Sequence, residues 1–223
     1  LENQLSLDYQ NQRQALQNKE RQYTKSFSRK NEKKVLVERL KWNSQNLSKQ
    51  LKSAEEEYQK LYEIIVALER QRRLRERRGE TKEEYTLNLK DIKKNKGKLP
   101  WPVKGKILHK YGKQHDSRLK TTINNTGIDI KAKTGAEVRA VFIGLVSTIT
   151  YLSGFGNTVI LDHGKGYYTV YSHLDDFFVE PDELVDAGQV IGLVGDSGSL
   201  EGSKLHFAVF ANQKTENPQV WLR

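Results

Sequence analysis

Asn124-Asn125-Thr126-Gly127-Ile128-Asp129-Ile130 reads as a metal site short of one ligand. Asp129 offers a hard anionic oxygen, and Gly127 lets the backbone pass close to whatever Asp129 holds. Four residues before Asp129, where a hydrolytic zinc site wants an imidazole, the chain has Asn125. Downstream, Lys204-Leu205-His206-Phe207 supplies one imidazole in a period-two strand pattern that sends Lys204 and His206 to the same side.

An open catalytic zinc site takes three protein ligands, often two imidazoles and a carboxylate, and leaves the fourth position to water. The ion lowers the pKa of that water to about 7, and a nearby base completes its activation. Asp129 and His206 can supply two ligands, whereas the neutral amide of Asn125 is a poor zinc donor. His173, in Tyr171-Ser172-His173-Leu174, closes an alternating strand and can face the same groove as a base. Lys204 stands where a second neutral base or a transition-state donor is wanted, and its ammonium repels a divalent cation. His109 and His115 fall in the lead-in to the domain and His163 in a hairpin turn, contexts in which an imidazole is ordinarily a hydrogen-bonded surface or core residue.

Outward from this stretch, the chain from Trp101 on alternates apolar and polar residues. Segments 136–142, 144–151, 157–162, 167–171, 190–194 and 205–210 are strand-like, and several are separated by glycine turns. His163-Gly164-Lys165-Gly166 is a hairpin turn, and residues 196–203 (DSGSLEGS) form a flexible rim before the last core strand. The fold class is therefore α + β in separate parts, with a mostly antiparallel β domain over residues 99–223.

Residues 1–78 are helical. Leu47, Leu51, Ala54, Tyr58, Leu61, Ile65 and Leu68 alternate steps of four and three, a coiled-coil seam that Leu36 and Leu40 extend backwards. A seam needs a partner, and the first expectation is the helix of residues 1–23 folded back as an antiparallel hairpin, ahead of a second chain or another protein's helix. Segment 24–31 can be a bend or a continuation. Gly79 ends the helix, and Thr81-Lys82-Glu83-Glu84 is a capping box that restarts a short one to about Ile92. Residues 79–98 then form a short helix and basic linker, with regulation as a candidate role.

Of 38 basic and 28 acidic residues, 25 and 15 lie in positions 1–98, so the +10 net charge sits there and the remaining 13 and 13 cancel. Six arginines among residues 69–78 could bind an anion, but no aromatic residues are interleaved for base stacking, so nucleic acid is not expected as a partner. The absence of cysteine excludes disulfides and thiolate chemistry, and no apolar run is long enough to span a bilayer.

The landmarks Thr126-Gly127-Ile128-Asp129-Ile130, residues 135–140 (GAEVRA), residues 154–159 (GFGNTV), His163-Gly164, Tyr171-Ser172-His173-Leu174, residues 188–192 (GQVIG) and Leu205-His206-Phe207 together resemble the LytM-type, lysostaphin-like zinc peptidase domain, a duplicated hybrid motif fold that cuts peptidoglycan cross-links. The resemblance implies zinc ligands at positions 125, 129 and 206 and catalytic histidines at 173 and 204. Asn125 and Lys204 depart from that pattern. Together with the helical half and the segments Leu99-Pro100-Trp101-Pro102-Val103 and Asn217-Pro218-Gln219-Val220-Trp221-Leu222, the chain resembles the EnvC-type murein hydrolase activators.

That resemblance implies an exported protein of the periplasm or cell envelope, its signal peptide not in this chain, which cuts nothing itself. It would activate N-acetylmuramoyl-L-alanine amidases in cell separation, binding the amidase through a groove of Asn125, Asp129, His173, Lys204 and His206. The coiled coil would meet an FtsEX-type membrane complex, and peptidoglycan is a further candidate partner. A helix between the two parts, here Thr81 to about Ile92, can occupy the groove in that family. No cofactor is expected on this reading. The alternative is a zinc metalloendopeptidase with an altered ligand set that recruits His173.

Overall fold

The computed structural model describes residues 2–79, 91–116, 121–199 and 201–223. Residues 2–78 contain neither glycine nor proline, and they form one helix, α1 (Glu2–Arg78). The expected hairpin is therefore corrected. The polar stretch 24–31 continues the helix because its hydroxyls are satisfied locally: Thr24 Oγ1 donates to the Glu20 carbonyl at 3.0 Å and Ser28 Oγ to Glu32 at 3.1 Å. Gly79, with φ +67°, ends the helix in the left-handed conformation that glycine adopts without strain, and its N–H donates to the Glu76 carbonyl. Of the segment Thr81 to about Ile92, positions 81–90 lie outside the described residues. Ile92 itself is buried. No helix among the described residues is long and apolar enough to cross a membrane.

The chain divides into two compact units, Leu1–Lys52 and Ser53–Arg223. Within the first, Leu16, Tyr23, Phe27, Leu36, Leu40 and Trp42 are exposed. The second contains the last part of α1 and a β domain. Its strands are β1 (Lys106–His109), β2 (Gly112–Asp116), β3 (Thr121–Asn125), β4 (Ile128–Lys131), β5 (Glu137–Arg139), β6 (Gly144–Leu152), β7 (Gly156–Asp162), β8 (Tyr167–Phe177), β9 (Leu184–Val185), β10 (Val190–Val194), β11 (Lys204–Ala211) and β12 (Lys214–Glu216). The main sheet runs β1-β4-β11-β8-β7-β6-β9, with β10 joining β5 to β8 and β12 extending from β11; β2 and β3 pair only with each other. Every pairing between these strands is antiparallel.

All eight residues of β11 are buried because both faces of the sheet are covered. On β11, Leu205, Phe207 and Val209 enter the main core with Ile128, Ile130 and Tyr171. Ala208 and Phe210 point the other way and join Tyr168 and Val170 of β8 in a second cluster with Leu61 and Ile65 of α1. The helical seam thus has a partner over these positions, and it is the sheet rather than another helix. Burying each such side chain contributes about 1.5–3 kcal/mol.

Below this cluster Glu69 is buried. It accepts from the Tyr168 hydroxyl at 3.0 Å, from Arg72 at 2.9 and 3.0 Å and from Arg73 at 2.7 Å. Burial works against its charge, but the two guanidiniums prevail and hold its carboxyl below the ordinary range. Arg72 also pairs with Glu76, and Arg75 approaches Asp182 at 3.5 Å. Arg72, Arg73 and Arg75 of the arginine run are thus engaged in ion pairs.

The ends of the β domain are stapled together. Leu99 N–H donates to the Trp221 carbonyl at 3.1 Å, and Arg223 N–H to the Leu99 carbonyl at 2.8 Å. Trp221 packs edge-on to Tyr167, with the Lys96 ammonium 4.8 Å from its ring centre.

His163 is a buried structural histidine, with Nδ1 2.8 Å from the Ile143 carbonyl and Nε2 2.7 Å from Thr169 Oγ1. Burial pushes its pKa down from 6.5 to about 4. Between these values the unfolded chain binds a proton that the folded one refuses, so stability is full above pH 6.5 and is lost as pH falls towards 4. Denaturant melts at pH 7 and about pH 4.5 should differ by on the order of 2–3 kcal/mol from this residue, and His163→Asn should flatten that slope. An unchanged slope in the variant would refute the assignment.

Candidate functional site

The site lies on the sheet face that also receives α1, at the other end of β11. Alternation along β4 sends Ile128 and Ile130 into the core and Asp129 to the opposite face. Register then brings two histidines beside Asp129, His206 from β11 and His109 from β1. Asp129 and His206 are both buried, with His206 Nδ1 2.7 Å from Asp129 Oδ1. The Lys204 ammonium lies 3.4 Å from Asp129 Oδ2 and 2.7 Å from Glu201 Oε2. His109 Nε2 stands 2.9 and 3.0 Å from the two Glu201 oxygens.

Burial opposes ionisation of Asp129, but the hydrogen bond and charge of His206, reinforced by Lys204 and His109, hold its carboxyl well below the usual carboxylate range. Glu201 is shifted downwards in the same way, its partial burial outweighed by Lys204 and His109. The cluster is thus a set of carboxylates compensated by the cationic and hydrogen-bonding groups of its own chain.

His173, next to last of the buried residues of β8, has φ +64°, an uncommon conformation for a residue with a side chain. Its Nδ1 is 2.8 Å from the Ser197 carbonyl. Burial pushes its pKa down to about 4, so near neutrality Nδ1 carries the proton for that carbonyl and Nε2 is an acceptor. Its ring meets His206 edge-on at 6.4 Å, and Phe155 tilts over the other side of His206 at 5.1 Å. Phe155 also packs against the cluster containing Leu61 and Ile65 of α1. Ser197 is fixed by more than His173, since its hydroxyl donates to the Leu174 carbonyl at 2.7 Å and accepts from Asn157 N–H at 3.1 Å. The rim loop is anchored at that point.

Asp129, His173, Lys204 and His206 are thus brought to one place. Asn125, at the end of β3, turns its amide oxygen to Gly127 N–H at 3.3 Å. Among the described residues, Asn125 Nδ2 and His206 Nε2 are buried without hydrogen-bond partners. Of the three histidines read from sequence as ordinary surface or core residues, His109 is the one that the fold brings to the site. A bulge between Ile107 and His109 shifts the register of β1, so Ile107 pairs with Ile130 and His109 with Asp129, breaking the alternation that would have exposed the relation. His115 belongs to β2, which pairs only with β3, and His163 is structural.

Residues 123–218 match the model of Peptidase family M23, which the β domain therefore resembles. Among relatives, the chain is 37% identical over 127 residues to the murein hydrolase activator EnvC of Escherichia coli, an alignment spanning 57% of this chain and 29% of that protein. It is 32% identical over 123 residues to the E. coli murein hydrolase activator NlpD, covering 55% of this chain and 30% of that protein. The chain therefore spans less than a third of these relatives, and what it resembles is an EnvC-type activator. A zinc-containing peptidase from Vibrio cholerae superposes with a TM-score of 0.51 at 28% identity, over 54% of this chain and 39% of that one.

Proposed function

We propose that this chain is a non-catalytic activator of peptidoglycan N-acetylmuramoyl-L-alanine amidases, acting at the cell envelope during cell separation and binding the amidase through the groove of Asn125, Asp129, His173, Lys204 and His206. The observation that carries the reading is the pairing of the inherited ligands with each other. Donors around a tetrahedral zinc ion stand about 3.4 Å apart, given metal–ligand bonds of about 2.1 Å. Asp129 Oδ1 and His206 Nδ1 are hydrogen-bonded at 2.7 Å instead. The third family ligand position is the neutral Asn125 amide, and an ammonium replaces a catalytic imidazole at Lys204. This donor set does not fit the family's zinc ion. A groove used for binding needs neither metal nor base.

The similarity to murein hydrolase activators supports the same reading. Export, an FtsEX-type partner for the helical part and contact with peptidoglycan belong to it as well. Purified full chain should contain no stoichiometric zinc and cut no peptidoglycan, yet stimulate an amidase from the same cell. Failure of every such amidase to bind or respond would overturn the proposal.

One observation favours a second reading, a zinc endopeptidase with a shifted ligand set: His109 lies beside Asp129 where a replacement imidazole would be useful. Stoichiometric zinc together with cleavage, both abolished by Asp129→Ala, would establish that reading and sink the first.

A further inference from the structure

We propose that Lys204 is a tethered cation that takes the place of a metal ion in the M23-type site, and that its ammonium is what makes the site refuse divalent metals. His109, Asp129 and Glu201 present ligand atoms within 4.8 Å of one another. These are one imidazole and two carboxylates, three ligand atoms of the kinds an open zinc site takes, and His206 is bonded to Asp129 beside them. The ammonium occupies this site. Lys204 Nζ reaches Glu201 at 2.7 Å and Asp129 at 3.4 Å, and the side chain is buried at the end of β11.

Two carboxylates packed together without a cation would repel each other and raise one another's pKa. Lys204 removes that penalty, because its side chain is attached to the fold and lies against both carboxylates. A divalent ion entering the same space would meet a like charge at close range in a partly dehydrated setting, where the repulsion is far less screened than in bulk water. Lys204 therefore has two effects, compensation of Asp129 and Glu201 and exclusion of metal.

The test is zinc titration of the full chain and of Lys204→Met, which keeps most of the buried stem and deletes the charge. Zinc content is read by elemental analysis and binding by calorimetry, with thermal melts in parallel. Lys204→Met should bind one zinc ion at least about 100-fold more tightly than the parent chain and melt higher with zinc than without, and adding Asp129→Ala should abolish both effects. A folded Lys204→Met that takes up no zinc would overturn the inference, as would a parent chain that binds zinc equally well. If Lys204→Met unfolds in metal-free buffer, Lys204→Gln is measured the same way; recovery of either fold by zinc supports the inference, and failure of zinc to restore both counts against it. The inference concerns the groove of the proposed activator but does not need an amidase. Zinc-free Lys204→Met alongside intact amidase stimulation would remove this inference alone, whereas a zinc-loaded, cleaving parent chain would remove both.

Discussion

Replacing Gly127 with alanine is expected to destabilise the β domain by about 3 kcal/mol or more. A methyl group there would stand 2.3 Å from the Phe207 carbonyl oxygen and 2.9 Å from the His206 ring. The first neighbour is backbone of the central strand β11, and the second is a buried ring held by Asp129 and Phe155. Neither can yield without separating β4 from β11, and that separation would break the Asp129–His206 bond. Thermal denaturation should show a midpoint lower by on the order of 10 °C. A midpoint within a degree or two of the parent would mean that the close approach does not constrain the fold.

The second large effect is expected from Leu61→Ala combined with Ile65→Ala. Each removes a fully buried side chain from the contact between α1 and the sheet. Such truncations cost about 2–5 kcal/mol singly, and these two, one turn apart on the same face, will not simply add. The loss should fall on the contact rather than the sheet, because the main core contains neither residue. Amide exchange should accelerate in residues 57–72 while β8 and β11 remain protected. The freed face is continuous with the one carrying His206, through Phe155. Under the activator reading, the double variant should therefore stimulate amidase more strongly than the parent. Unchanged exchange and unchanged stimulation together would refute the coupling.

Much of the fold is legible in the residues, and the gaps have identifiable causes. β10 has the boundaries its alternation predicts, and β6, β7 and β11 agree to within a residue; β7 and β11 each bury a continuous face, and β6 and β10 bury residues such as Val146, Ile191 and Val194 in the main core. β2 and β3 pair only with each other and carry mostly polar residues, so no hydrophobic period announces them. β4 is four residues long, and its period is obscured by the aspartate that gives it interest. In α1, Leu61, Ile65 and Leu68 mark a face that is to be buried, but a heptad does not say whether the partner is a helix or a sheet. At the site, Asp129, His173, Lys204 and His206 were identifiable because period two and spacing point to them. Glu201 lies in a loop and His109 beyond a bulge, and neither position has a periodic signature.

Ser197 bears on the thermodynamics of recognition. A loop that orders only when a partner arrives loses conformational freedom at that moment, at about 0.5–1.5 kcal/mol for each immobilised side chain. The start of the 196–203 rim is already ordered, held through Ser197 to Asn157, His173 and Leu174 and pressed so closely on Gly156 that a methyl group there would lie 2.1 Å from the Ser197 carbonyl. Under the activator reading, a partner docking beside His173 would meet a wall whose entropy was given up during folding, and little of its contact energy would be diverted into stiffening that side of the groove.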